Sequence, residues 1–163
     1  MMNTKLLGAF AAVALLAACE SSSDQTAAAT GTGAASTLGN GAAPRPGSQE
    51  DLVANVGDRV FFATDRSNIA PDQRPVLERQ AAWLQRYPQV TVQIEGHADE
   101  RGTREYNLAL GQRRANSARD VLVANGVAGS RISTISYGKD RPAALGSNEE
   151  AWAQNRRAVT VVR

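Results

Sequence analysis

Between Val90 and Gly126 the hydrophobic period of the chain changes once, from strand-like to helical, across a short polar loop. That switch restricts the fold to helices packed on a sheet. Val90, Val92 and Ile94 alternate with Thr91, Gln93 and Glu95, the pattern of a half-buried strand. Gly96 to Gly102 is polar. A second helix then starts near Thr103, a suitable N-cap with Glu105 in the first turn, and stops by Gly126. The flanking elements follow the same logic. Arg59-Val60-Phe61-Phe62 predicts a first strand. Pro71 suits the first turn of a helix that Val76, Leu77, Gln80, Leu84 and Tyr87 continue and Pro88 ends. Arg131 to Tyr137 predicts a third strand, Asn148 to Arg156 a short helix capped by Ser147 or Asn148, and Ala158 to Val162 a last strand. The order β-α-β-α-β-α-β predicts an α+β fold, a two-layer sandwich of helices on a mixed four-stranded sheet.

Upstream, Lys5 precedes an apolar run from Leu6 to Ala18. As a helix this run reaches about 20 Å, short of a bilayer core of about 30 Å. It therefore reads as a signal peptide, residues 1–18, and not as a membrane span. Leu16-Ala17-Ala18-Cys19 is similar to the processing site of bacterial lipoproteins, which makes Cys19 the expected lipidation site. Acyl chains there would hold the protein on outer-membrane lipid, and Glu20, in place of Asp, fits export to that membrane by the sorting rules of such proteins. Residues 19–48 are rich in Ala, Gly, Ser and Thr and hold no aromatic residue, as expected of a flexible tether. The folded domain is expected over 49–163.

The 18 cations and 16 acids give a formal charge of +2, and the basic residues lie interspersed with acids. No concentrated basic face is implied, which argues against a nucleic-acid partner. One cysteine excludes an intrachain disulfide, and one histidine excludes a multi-histidine metal site. His97, Asp99 and Glu100 on one loop are a weak metal set without a further nitrogen or sulfur ligand. Asp99 and Glu100 are adjacent and point apart, unlike the two carboxyls of a glycosidase, about 5–10 Å apart across one bond. No nucleophile stands beside a base, and no cofactor is implied. Trp83 and Trp152 are expected to pack against the sheet.

The informative stretch is the loop with the helix that follows it. Asn107, Leu110, Arg114, Ala118 and Val121 fall on one helical stripe, so Arg114 sits in mostly apolar surroundings. A cation there is costly unless something anionic faces it. Asp99 leaves the strand end and approaches the same cleft. Two readings stay open on the residues alone. One is a buried Asp99–Arg114 ion pair that only stabilises a structural lipoprotein. The other is a receptor for a zwitterion, with Arg114 taking a carboxylate and Asp99 an ammonium. The first predicts that removing either charge strongly lowers thermal stability; the second, that it leaves the fold intact and abolishes binding.

The segment GHADERGTREYNLALGQRRA, with VFFATD, SYGKDRPA and NRRAVTVV in the same order, resembles the OmpA-like peptidoglycan-binding domain over about Val60 to Arg163. The resemblance implies recognition of the diaminopimelate residue of the peptidoglycan stem peptide, whose side chain ends in an ammonium and a carboxylate on one carbon. Matched by position, Asp99 would hold the ammonium and Arg114 the carboxylate. Asp65 would line the pocket and bond the peptide, Arg101 would contact the ligand, Leu110 would pack beneath it, and Phe62 and Asn107 would shape the walls. Ala63-Thr64 stand where the family commonly has a glycine and an aromatic residue, so no aromatic contact is carried over to position 64. The resemblance also implies a tether between outer membrane and cell wall, with TolB and other Tol proteins as partners and a role in envelope integrity and cell division.

Overall fold

The computed structural model describes residues 43–163; the expected signal peptide, Cys19 and most of the expected tether lie outside the described residues. In chain order the elements are α1 (Gln49–Asn55), β1 (Arg59–Phe61), α2 (Arg74–Arg86), β2 (Val92–His97), α3 (Arg104–Ala124), a 3-10 turn (Gly129–Arg131), β3 (Ile132–Gly138), α4 (Glu149–Asn155) and β4 (Arg157–Val162). The sheet order is β1-β4-β2-β3. β4 runs antiparallel to both β1 and β2, whereas β2 and β3 are parallel and joined through α3. The expected α+β fold on a mixed four-stranded sheet is what forms.

α2 and α3 cover one face of that sheet. Leu77, Ala81 and Leu84 from α2 join Ala115, Ala118 and Leu122 from α3 over Val60, Val92, Ile94 and Ala158 in one buried cluster. Each fully buried large side chain contributes about 1.5–3 kcal/mol. Closest approach comes where Gly111 of α3 crosses Gly96 of β2. On the opposite face His97 is buried against Tyr137, with ring centroids 5.6 Å apart.

Several boundaries differ from the sequence reading, each for a local reason. α1 was not foreseen. Its seven residues show no helical period, and it is held by the Ser48 cap, by Asp51 accepting from Trp83 Nε1 at 3.0 Å, and by Gln49 bonding Val162 across the sheet end. α2 starts at Arg74 with Pro75, not Pro71, in its first turn; either proline suits a position that needs no N–H donor. β2 starts at Val92 and continues through Gly96 and His97, which pair with Ser136 and Gly138. Arg131 belongs to the 3-10 turn, and its guanidinium clamps the carbonyls of Leu84, Tyr87 and Val90. Asn148, not Ser147, caps α4, its Oδ1 accepting from the Ala151 N–H at 2.8 Å.

Candidate functional site

The loop after β2 turns into α3 through Thr103, whose hydroxyl accepts from the Tyr106 N–H at 3.2 Å. The segment after β1 faces it. Between them lies a pocket of about 290 Å3, and six expected residues line it: Asp65, Asp99, Arg101, Asn107, Leu110 and Arg114. Phe62 is not on the wall. It is buried one layer below, its ring 5.2 Å from the Arg114 guanidinium carbon. Thr64, Gly102 and Tyr106 complete the lining. Position 64 was singled out only for the aromatic residue it lacks, and Gly102 and Tyr106 carried no expected role, although Tyr106 lies one turn before Leu110, on the edge of the same helical stripe.

Arg114 is fully buried, at 0% exposure. Nε donates to the Arg66 carbonyl at 2.8 Å, Nη1 to the His97 carbonyl at 2.8 Å and Nη2 to the Ala63 carbonyl at 3.2 Å. It thus ties α3 to the end of β2 and to the segment after β1. Burial pushes its pKa down to about 10; nearby Asp99 opposes that shift and Arg156 adds to it. The group stays cationic at neutral pH. Of its five N–H donors, two remain for other partners.

The direct Asp99–Arg114 ion pair of the structural reading does not form. Asp99 pairs instead with Arg101, Nη2 to Oδ2 at 2.7 Å, and with Arg156 at 3.5 Å. Arg101 is two residues away on the same loop, and its Nε and backbone N–H both reach Oδ1 at 3.1 Å. Burial alone would raise the Asp99 carboxyl, but the Arg101 bonds outweigh it and hold the group below the usual carboxylate range. Among the described residues, Arg114 is left with carbonyls and no carboxylate in ion-pair contact.

The surroundings of this pair are fixed from several elements. Asn107 donates to the Arg101 carbonyl at 2.8 Å and so holds the loop. Arg156, buried at the end of α4, donates to the Phe62 carbonyl at 3.0 Å and to Glu149 at 2.6 Å. Asp65 adopts φ +59°, a left-handed conformation that aspartate tolerates better than most residues, and its carboxylate accepts from the exposed Tyr106 hydroxyl. Trp83 is buried as expected, whereas Trp152 carries the Arg101 guanidinium on its ring at 4.2 Å and bonds Glu100 through its indole N–H. The pocket therefore presents two carboxylates and two guanidiniums around a small apolar patch at Leu110.

Such a fold and pocket define a small α+β binding domain with a charge-paired cleft at one end of its sheet. Residues 61–156 match the OmpA family, and the chain belongs to that family. It is 56% identical over 147 residues to a protein from Rhizobium meliloti named peptidoglycan-associated lipoprotein, covering 90% of this chain and 81% of the relative. A protein of the same name from Mesorhizobium japonicum is 60% identical over 124 residues, 76% of this chain and 74% of the relative. The crystal structure of the peptidoglycan-associated lipoprotein from Burkholderia pseudomallei superposes with a TM-score of 0.65 at 39% identity, covering 69% of this chain and 100% of that one.

Proposed function

We propose that this chain is an envelope lipoprotein whose domain binds peptidoglycan non-covalently, gripping the amino-acid-like tip of a diaminopimelate side chain in the pocket. Asp99 takes the ammonium and Arg114 the carboxylate. The observation that carries this reading is the pair of unequal environments. Arg114 is a buried cation with no carboxylate in ion-pair contact among the described residues, and it borders a pocket whose lining also holds an ionised Asp99. A buried charge without a counterion is costly, and a ligand carboxylate supplies what is lacking. Leu110 meets the methylene stem of the ligand, Asp65 bonds the peptide with Tyr106 beside it, and Arg101 lies at the ligand's charged head. Asn107 and Phe62 support the walls from behind.

The names of the relatives support the same assignment, as does the similarity of Leu16–Cys19 to a lipoprotein processing site. In the full reading, acylated Cys19 anchors the chain in the outer membrane, the tether spans toward the wall, and TolB and other Tol proteins are periplasmic partners in envelope integrity and division. Co-sedimentation with purified peptidoglycan tests the core of it. The protein pellets with the wall and Asp99→Asn stays in the supernatant; equal pelleting of both contradicts the site.

A further inference from the structure

Asp99 already carries a full set of donors. A carboxylate offers about four lone-pair sites. The Arg101 backbone N–H and Nε take Oδ1, while Arg101 Nη2 and, at 3.5 Å, Arg156 Nη1 take Oδ2. An incoming ammonium therefore meets a saturated acceptor and must evict one of these groups. Two of the four cannot leave readily. The Arg101 backbone is held through Asn107, and Arg156 is buried and tied to the Phe62 carbonyl and to Glu149. The Arg101 side chain differs. It is 38% exposed and rests on the open face of Trp152, with one further bond of 3.3 Å to the Thr64 hydroxyl.

We propose, resting on the reading of the pocket above, that Arg101 is a displaceable internal cation. In the free protein its guanidinium stands where the ligand's ammonium goes, and on binding it swings off Asp99 to pair with a carboxylate the ligand brings. This exchange makes Arg101 a specificity-determining residue. A ligand carrying ammonium and carboxylate together re-pairs the displaced guanidinium. A ligand carrying an ammonium alone, such as a stem peptide with lysine in place of diaminopimelate, breaks the Asp99–Arg101 bonds and returns nothing. Arg114 adds its own preference for the carboxylate, and that part is independent of Arg101.

The test compares two stem peptides, one with diaminopimelate and one with lysine, on the purified full chain in detergent and on its Arg101→Gln variant. The wild type strongly prefers the diaminopimelate peptide. In Arg101→Gln the lysine peptide gains about tenfold in affinity, the scale of one charge-assisted bond no longer broken, while the diaminopimelate peptide does not gain, so the preference narrows. A lysine peptide that binds the variant no better than the wild type overturns the exchange. A second readout needs no stem peptide. Methylammonium shifts the Asp99 carboxylate resonance in Arg101→Gln at concentrations that leave the wild type unchanged, and an equal response in both proteins also overturns it. Failure of the wild type to bind the diaminopimelate peptide, with the methylammonium difference still present, faults the assigned ligand and leaves the displaceable cation standing.

Discussion

Gly96 and Gly111 face each other so closely that a β-carbon on Gly96 would lie 1.8 Å from the Gly111 carbonyl oxygen. A β-carbon on Gly111 would lie 2.3 Å from the Ser136 hydroxyl and 2.8 Å from the Gly96 carbonyl. The obstacles are largely backbone, so α3 must lift from β2 to admit a methyl group. Gly111 sits between Leu110 and Arg114, and lifting it moves the pocket floor. Gly96→Ala is therefore expected to destabilise the domain by about 1–3 kcal/mol or more, as overpacking does, and to weaken ligand binding as well. Chemical denaturation checks the first effect and peptide titration the second.

Arg114 is expected to serve the fold as well as the ligand. Arg114→Met strands the carbonyls of Ala63, Arg66 and His97, at about 1–3 kcal/mol for each that water does not reach. For Arg114 those three bonds add a structural role to the one a receptor requires, so a loss of stability is expected beside the loss of binding. Arg114→Lys keeps a charge but cannot span three acceptors with a planar fork, and recovers only part of the loss. Urea unfolding of both variants measures the difference.

His97 predicts an acid-labile domain. Burial, then the charges of Arg157 and Arg141, push its pKa down from 6.5 to about 4 against a smaller opposing pull from the Arg141 backbone, and among the described residues neither ring nitrogen makes a hydrogen bond of ordinary geometry. Glu95, 3.9 Å from Nε2, and the Tyr137 ring also face it. The folded state thus binds fewer protons than the unfolded chain between these values. Stability is full above the unfolded value and falls as pH drops toward 4, by up to ~3 kcal/mol. His97→Phe removes the titrating group and flattens that part of the profile. Melting curves between about pH 7 and 5 read it; a flat wild-type profile there contradicts the account.

The fold was legible where the period was long and the ends were marked. Thr103 capped α3 as expected, and Val92 and Ile94 point into the core as their alternation requires. α1 escaped because its stability comes from Asp51, Trp83 and Val162, residues far apart in the chain. The pocket residues on the α3 stripe were legible for the same reason as α3 itself. What periodicity could not show was partnership. It placed Asp99 and Arg114 in one cleft, yet gave no sign that Arg101 would claim the carboxylate or that three carbonyls would claim the guanidinium. Those are outcomes of where loops turn, and Phe62 falling behind the wall is another.

The most direct test of the central claim is a calorimetric titration of the domain with a diaminopimelate-containing stem peptide, run on the wild type and on Asp99→Asn. The substitution keeps the shape of the side chain and removes its charge. A saturable one-to-one isotherm for the wild type, weakened roughly 10–100-fold in Asp99→Asn, is the predicted result. Equal affinity in the two proteins contradicts it.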